Sequence, residues 1–495
     1  MKNPGDIVLV SCYELGHQPL AVASPLAFLR KSGFAPVCLD LSIDLLDDAA
    51  ASTLASARLV AISVPMHTAL RLGAHVARQV RQLNPGAHIC FYGLYAPLNA
   101  RHLLSSCADT VRGGECEVAL VELARDLDQG RSPAPVVTQL SRLGFVVPER
   151  DALPPLQRYA HLVTAAGPRV TGYVEATRGC RHLCRHCPIP AIYGGRFFAV
   201  PVEIALADAH QQIEAGARHI TFGDPDFFNG PRHAMAIARA LAGAHPDVTF
   251  DVTIKIEHIL QRRELFPELA RLGCLFVVSA VESLCDEVLA VLDKGHRRAD
   301  VAVALQIVRE AGLSLRPTFV PFTPWTALDD YLDLCRFISA HDLEDEVDPI
   351  QLTLRLLIPP GSLLLERHEL RPHLAQLDEA AFTYRWTHPD ARMDRLNADV
   401  SALVDQASRQ GNDPADTFRK IQDLALTAAG QEPVPARGKD SAHRRRHLAP
   451  HLSEPWFCCA EPSRDQLDKL ATTNAALTTG AIRCCDSSNS NSSTP

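Results

Sequence analysis

Two stretches of this chain alternate short apolar, β-branched runs with runs of helical spacing. That alternation limits the fold more than any other feature. In the first stretch Asp6–Cys12, Pro36–Ile43, Leu59–Val64 and His88–Tyr92 read as strands, while Pro19–Lys31 and Thr68–Leu83 read as helices. Strands separated by helices build a parallel sheet covered on both faces. The second stretch offers strands at Gly172–Ala176, His219–Gly223, Phe250–Ile254, Leu275–Ala280, Leu315–Val320 and Ile350–Leu356. Val202–Ala215, Arg232–Ala242 and Asp300–Ala311 supply helices between them. Six such units predict a partial (β/α)6 barrel rather than a closed barrel of eight. In either arrangement ligands bind at the carboxyl ends of the strands.

The α/β chain then divides as follows. Residues 1–130 form a Rossmann-like parallel αβ domain, 131–170 a proline-rich linker, and 171–360 the partial barrel. Residues 361–450 form a mostly helical extension, and 451–495 a Cys-rich tail with a low-complexity, disordered end. In the extension Leu363–Leu377 and Asp413–Ala429 read as helices, the second with Asp413 as N-cap, Pro414 at its first position and Gly430 beyond its end. The net charge of −8 argues against a nucleic-acid partner, which needs a basic surface to displace counterions. No apolar run approaches the ~20 residues that span a bilayer, so no membrane partner is expected. Met1–Asp6 leads straight into a strand and lacks a signal-peptide pattern, which gives a cytoplasmic expectation.

Fifteen cysteines without a secretory signal point to metal binding or catalysis. Most sit singly, as small buried apolar residues do. Three cluster in Glu175-Ala-Thr-Arg-Gly-Cys180-Arg-His-Leu-Cys184-Arg-His-Cys187, directly after the first barrel strand. Three thiolates on one loop can converge on one centre. A structural zinc site needs a fourth ligand, here a distant one. An iron–sulfur cluster held by three thiolates keeps one iron open to a substrate.

This CxxxCxxC loop after a barrel strand resembles the radical S-adenosylmethionine (SAM) superfamily over roughly 171–360. The resemblance implies a [4Fe–4S] cluster on Cys180, Cys184 and Cys187, with SAM at the open iron. It also implies SAM contacts at successive strand ends. These fall at Asp224 in Gly-Asp-Pro-Asp-Phe, Lys255 in Thr-Ile-Lys-Ile-Glu, and Glu282 and Ser283 in Ala-Val-Glu-Ser-Leu. Arg355 is the expected partner of the methionine carboxylate. An electron donor such as flavodoxin or ferredoxin is implied as a partner. The αβ domain before the barrel resembles the cobalamin-binding branch, which makes cobalamin a candidate cofactor. The cobalt-ligating pattern Asp-x-His-x-x-Gly is absent; Glu14-Leu-Gly-His17 has a histidine in a different frame.

The tail carries Pro455-Trp-Phe-Cys458-Cys459-Ala-Glu-Pro462, and a second pair follows at Cys484 and Cys485. Adjacent Cα atoms lie ~3.8 Å apart, short of the ~4.4–6.8 Å of ordinary disulfides. Such a pair suits redox cycling or a soft, thiophilic centre. A radical SAM barrel with this ending is similar to the CUAEP/CCAEP-tail radical SAM (seleno)protein family. That family includes an enzyme of arsinothricin biosynthesis. The resemblance implies transfer of the 3-amino-3-carboxypropyl group of SAM to trivalent arsenic, with hydroxyarsinothricin as product. Cys458 and Cys459 would capture the substrate, arsenite or a methylated trivalent arsenical. Two other readings stand beside it: a cobalamin-dependent radical SAM methyltransferase, and a non-enzymatic iron–sulfur or metalloid sensor.

Overall fold

The protein is described here from a computed structural model covering residues 1–433, 449–454, 457 and 459–470. The first sheet contains β1 (Ile7–Ser11), β2 (Val37–Asp40), β3 (Leu59–Ser63), β4 (His88–Tyr92), β5 (Thr110–Gly114) and β6 (Val136–Gln139). All six are parallel, in the order β2-β1-β3-β4-β5-β6. Successive residues of β1 point to opposite faces, so Val8 and Val10 enter one core while Ile7 and Leu9 enter the other. Burial on both faces is why these strands are unbroken apolar runs. The strand order reverses between β1 and β3, the place where ligands bind in open α/β sheets.

The proline-rich 131–170 segment does more than link. It supplies β6 to the first sheet and β7 (His161–Val163) to the second. The Pro-free stretch Val136–Gln139 keeps the N–H groups a ladder needs. After β8 (Arg169–Val174), the antiparallel pair β9 (Thr177–Gly179) and β10 (Phe197–Ala199) brackets the three-cysteine loop. The barrel continues with β11 (His219–Phe222), β12 (Thr249–Thr253), β13 (Cys274–Glu282) and β14 (Ser314–Phe319). These four run parallel to β8. β7 caps the β8 edge antiparallel.

The sixth barrel strand expected at Ile350–Leu356 is absent. Residues Pro349–Leu352 form a 3-10 turn, and only Arg355 bridges to Phe322. Pro349 has no N–H for a ladder. The side chain of Gln351 takes over one position, accepting from the backbone N–H of Phe319 at 3.2 Å. The barrel thus has five parallel strands and an open side.

The helix expected at Leu363–Leu377 is also replaced. Leu363–Glu366 is a short 3-10 turn, and β15 (Leu374–Asp378) pairs antiparallel with β16 (Thr383–Trp386). Pro372 would break a helix here. Helices Ala391–Gln410 and Pro414–Ala428 follow, both packed into the barrel core through residues such as Met393, Val400, Phe418 and Ile421. Asp413 caps the second, accepting from Ala415 N at 2.9 Å and Asp416 N at 3.1 Å.

The chain then returns. β17 (His451–Leu452) pairs antiparallel with β7. Beyond it, Phe457 packs against the barrel core and Leu470 enters a core of the first domain. No helix among the described residues is long and apolar enough to cross a membrane.

Candidate active site

The three-cysteine loop is shaped from both ends. Gly179, just before Cys180, has φ +76, and a Cβ there would lie 2.6 Å from the Arg196 carbonyl oxygen. Only glycine fits this entry. Asn229, buried beyond β11, then braces the loop. Its side chain donates to Gly179 O at 3.3 Å and accepts from Arg181 N at 3.2 Å. At the far end Arg185 N donates to Leu292 O at 2.9 Å, and Ser362 Oγ donates to Arg185 O at 3.2 Å.

The three thiols share one electrostatic neighbourhood. Burial pushes Cys180 up to about 11; the His182 backbone and Lys255 oppose this, while Asp226 and Cys184 add to it. Burial also raises Cys187, helped by charges at Cys184, Cys180 and Cys459. Cys180 and Cys187, on one short loop with Cys184 and poor at ionising alone, fit a centre that supplies positive charge and takes their protons. A cation is already provided. Lys294, buried, is affected by charges at Cys184 and Cys187, and donates to Glu282 at 3.2 Å.

Glu282 owes its position to a bulge. The β13–β14 register shifts between Ala280 and Glu282, and Glu282 has φ +68. Non-glycine residues in this region are strained, and such bulges re-aim side chains near active sites. Here the carboxylate meets Lys294 and, at 3.1 Å, His186 Nε2. Burial pushes its pKa up, but Lys294 and His186 more than reverse this, leaving it at about 2.

Asp224 follows β11 and is buried. It accepts from the Ala176 backbone N–H at 2.9 Å and from the Thr177 hydroxyl. Burial outweighs these bonds and lifts it to about 7. Lys255 follows β12, donating to Glu257 at 3.2 Å and lying 3.3 Å from His182 Nδ1. Ser283 accepts from Cys285 N at 3.1 Å. These expected SAM-site residues stand together at the carboxyl ends of β11, β12 and β13.

Arg355 stands apart. Its fork donates to Asp394 at 2.7 Å and to Trp386 O at 2.7 Å, and it stacks 3.6 Å over the Trp386 ring. It fastens the C-terminal extension to the barrel.

The first domain reaches the loop through Arg178, on β9. Its guanidinium meets Glu175 at 2.9 Å and Glu115 at 3.4 Å, and also pairs with Glu117. Tyr193 donates to Glu115 at 3.0 Å. The tail approaches from another side. Thr68 Oγ1 donates to Ala460 O at 2.8 Å, Glu461 pairs with Arg71 at 3.2 Å, and Gln79 Nε2 donates to Leu470 O at 3.0 Å. All three partners lie on the helix His67–Leu83 that follows β3. This sets Cys459 close enough for its charge to act on Cys187. Cys458, Cys484 and Cys485 lie outside the described residues.

His182 and His186 sit inside the cysteine motif, whose spacing singles out only the thiols. His258 lies three residues after Lys255, and Asn229 follows the Asp-Phe-Phe run, neither within a motif. Polar residues so near a cysteine loop or a strand end were the available signal.

A cysteine loop at the open end of a parallel partial barrel, facing polar groups from successive strand ends, defines a radical SAM domain. Residues 174–335 match the Radical SAM superfamily. Such a domain works with a [4Fe–4S] cluster and SAM. It is 25% identical over 170 residues to the tRNA-2-methylthio-N(6)-dimethylallyladenosine synthase of Chlorobium luteolum. That match covers 32% of this chain and only 36% of the relative. The fold is shared with the cobalamin- and [4Fe–4S]-bound radical SAM methyltransferase TsrM of Kitasatospora setae. There the TM-score is 0.62 at 16% identity, covering 87% of this chain and 100% of that one. It is shared also with the cobalamin-dependent SAM radical enzyme OxsB, with TM-score 0.64 at 13% identity, covering 97% and 81% of the two chains.

Proposed function

We propose that the chain is a radical SAM transferase that moves the 3-amino-3-carboxypropyl group of SAM onto trivalent arsenic, forming hydroxyarsinothricin. The reading is supported by a tail fastened to Thr68 and Arg71, which brings Cys459 within electrostatic reach of Cys187. A thiol fixed there can hold a soft acceptor at the edge of the cluster site. Cys458 is its sequence neighbour in the proposed dithiolate.

The cluster, when bound, supplies the electron that breaks a C–S bond of SAM. Cys180, Cys184 and Cys187 hold it as thiolates, and Lys294 offsets part of their charge. Asp224, Lys255, Glu282 and Ser283 form the wall against which SAM is oriented. Arg355 has no part in that wall, since its fork is engaged by Asp394 and Trp386. Arsenite or a methylated trivalent arsenical is the acceptor, and a flavodoxin- or ferredoxin-type protein the electron source.

The test is anaerobic turnover of cluster-reconstituted protein with SAM, a reductant and arsenite, with products read by mass spectrometry. Methylthioadenosine with an aminocarboxypropyl arsenical is the expected result. Deoxyadenosine without an organoarsenical would sink the reading.

A second reading, cobalamin-dependent methyl transfer, is favoured by the fold shared with TsrM and OxsB. A ligand placed by the switch-point rule would lie beyond β1 and β3. His67 and Thr68 at that point already hold Glu461 and Ala460 of the tail. Among the described residues the tail therefore occupies part of that point, and it would have to leave before a corrinoid could enter there. His17 offers no ready axial ligand, being buried against Tyr173 at 4.6 Å. Tightly bound corrinoid in purified protein would reverse the order of the two readings.

A further inference from the structure

His182, Asp226 and His258 converge on one point beside the cysteine loop, and neither the cluster nor the SAM wall needs them. His182 Nε2 lies 3.3 Å from Asp226 Oδ2, and His258 Nδ1 lies 2.6 Å from the same oxygen. The three ligand atoms all fall within 4.8 Å of one another. Asp226 and His258 are buried, with side chains only 2% and 6% exposed.

Short distances between a carboxylate and two imidazoles ordinarily mean hydrogen bonds. Here the two imidazoles face one carboxylate oxygen as ion pairs, yet His182 Nε2, His258 Nδ1 and Asp226 Oδ2 are each buried without a well-directed hydrogen bond. Orphaned buried polar atoms are costly, and three at one point call for a ligand. Asp226 is itself well fixed, since its other oxygen accepts from Phe228 N at 3.1 Å.

We propose that these three residues bind a divalent first-row transition ion of the zinc or iron(II) type, as a second metal site distinct from the cluster. Two histidines and one carboxylate are a recognised donor set for such ions, and three protein ligands leave positions open. For bonds of about 2.1 Å, neighbouring ligand atoms stand about 3.0 Å apart at right angles and about 3.4 Å at tetrahedral angles. The His182–Asp226 separation lies in this range, the His258–Asp226 pair opens by about 0.4 Å, and the imidazoles, within 4.8 Å of each other, swing together by up to about 1.4 Å to share one ion. With the ion on Nε2, the His182 proton moves to Nδ1. Glu257 Oε2, 3.8 Å away, favours that proton by its charge, and Lys255 stays on Glu257 at 3.2 Å. A carboxylate behind a ligating imidazole is the usual outer support of such sites.

The test uses cluster-loaded full-length protein under anaerobic conditions. Zinc is titrated against a chromogenic chelator, and metals are counted by mass spectrometry. The expected result is one zinc per chain beyond the cluster iron. Asp226→Asn and His258→Asn should each weaken zinc binding at least tenfold, with iron, sulfide and thermal melting unchanged. Cobalt(II) then separates this site from the tail thiols. A nitrogen–oxygen site gives weak visible bands, whereas thiolates add intense near-ultraviolet charge transfer. Wild-type zinc uptake equal to that of both variants, or cobalt spectra dominated by thiolate bands, would overturn the proposal. So would failure of the wild type to retain zinc.

Discussion

Replacing Arg178 by methionine should detach the first domain from the cysteine loop. The guanidinium is largely buried and stands among Glu115, Glu117 and Glu175, with Glu115 fully buried. Methionine keeps most of the volume but leaves three carboxylates facing one another. Removing one partner of a buried ion pair typically costs about 3–5 kcal/mol. The pH dependence follows from Glu115. Burial pushes its pKa up from 4.5 to about 7, while Arg178 pulls it down. The stability held by its protonated form is full below 4.5 and is lost as pH rises through the folded value. Without Arg178 the folded value moves higher still. The loss then continues to higher pH than in the wild type, where it is complete about one unit above pH 7. Urea unfolding followed by circular dichroism should show the deficit of about 3–5 kcal/mol, and a larger deficit at pH 8 than at pH 6. A deficit under about 1 kcal/mol, the level of an exposed pair, would refute the buried-network argument. So would equal deficits at the two pH values.

Three further outcomes are expected. Thr68→Val combined with Glu461→Gln removes a buried hydrogen bond and an ion pair, together about 1–2 kcal/mol. Hydrogen exchange across residues 459–470 should quicken roughly 5–30-fold, and unchanged protection would mean the anchors are idle. Asp224→Asn should flatten the stability profile between about pH 4 and 7. Burial raises the Asp224 pKa to about 7, so the wild type loses stability as pH climbs through that window; an unaltered slope would count against it. Asn229→Ala leaves Gly179 O and Arg181 N without their buried partner, at about 1–3 kcal/mol. Cluster loss to a chelator should accelerate in that variant, and a wild-type rate would show that the loop holds its shape without Asn229.

The parallel strands were legible because both faces are buried. His88–Tyr92 and the run beginning at His219 are continuous apolar segments that no surface element would carry. The helix at Pro414–Ala428 was legible because its cap, its first-turn proline and its closing glycine are local signals. Ile350–Leu356 misled because an apolar run does not reveal whether a ladder partner is free. Gln351 satisfied the neighbouring strand with its side chain instead. Leu363–Leu377 misled because its helical spacing of apolar residues is interrupted by Pro372, which a helix interior does not tolerate.

The sequence alone determined the cysteine loop and its chemistry, since three thiols within eight residues must share a neighbourhood whatever the fold. It determined too that polar groups would follow successive strands. Only tertiary structure decided which of them meet. Arg355 was drawn away to Asp394, 39 residues on. Glu461 was brought to His67 across 394 residues, and Cys459 to the edge of the cluster loop. His182, Asp226 and His258 became one cluster by the pairing of β11 with β12. Spacing governs what lies within a turn or a loop, whereas strand order and chain return govern what lies across a barrel mouth. That second set is fixed by burial of the whole core, which no local pattern encodes.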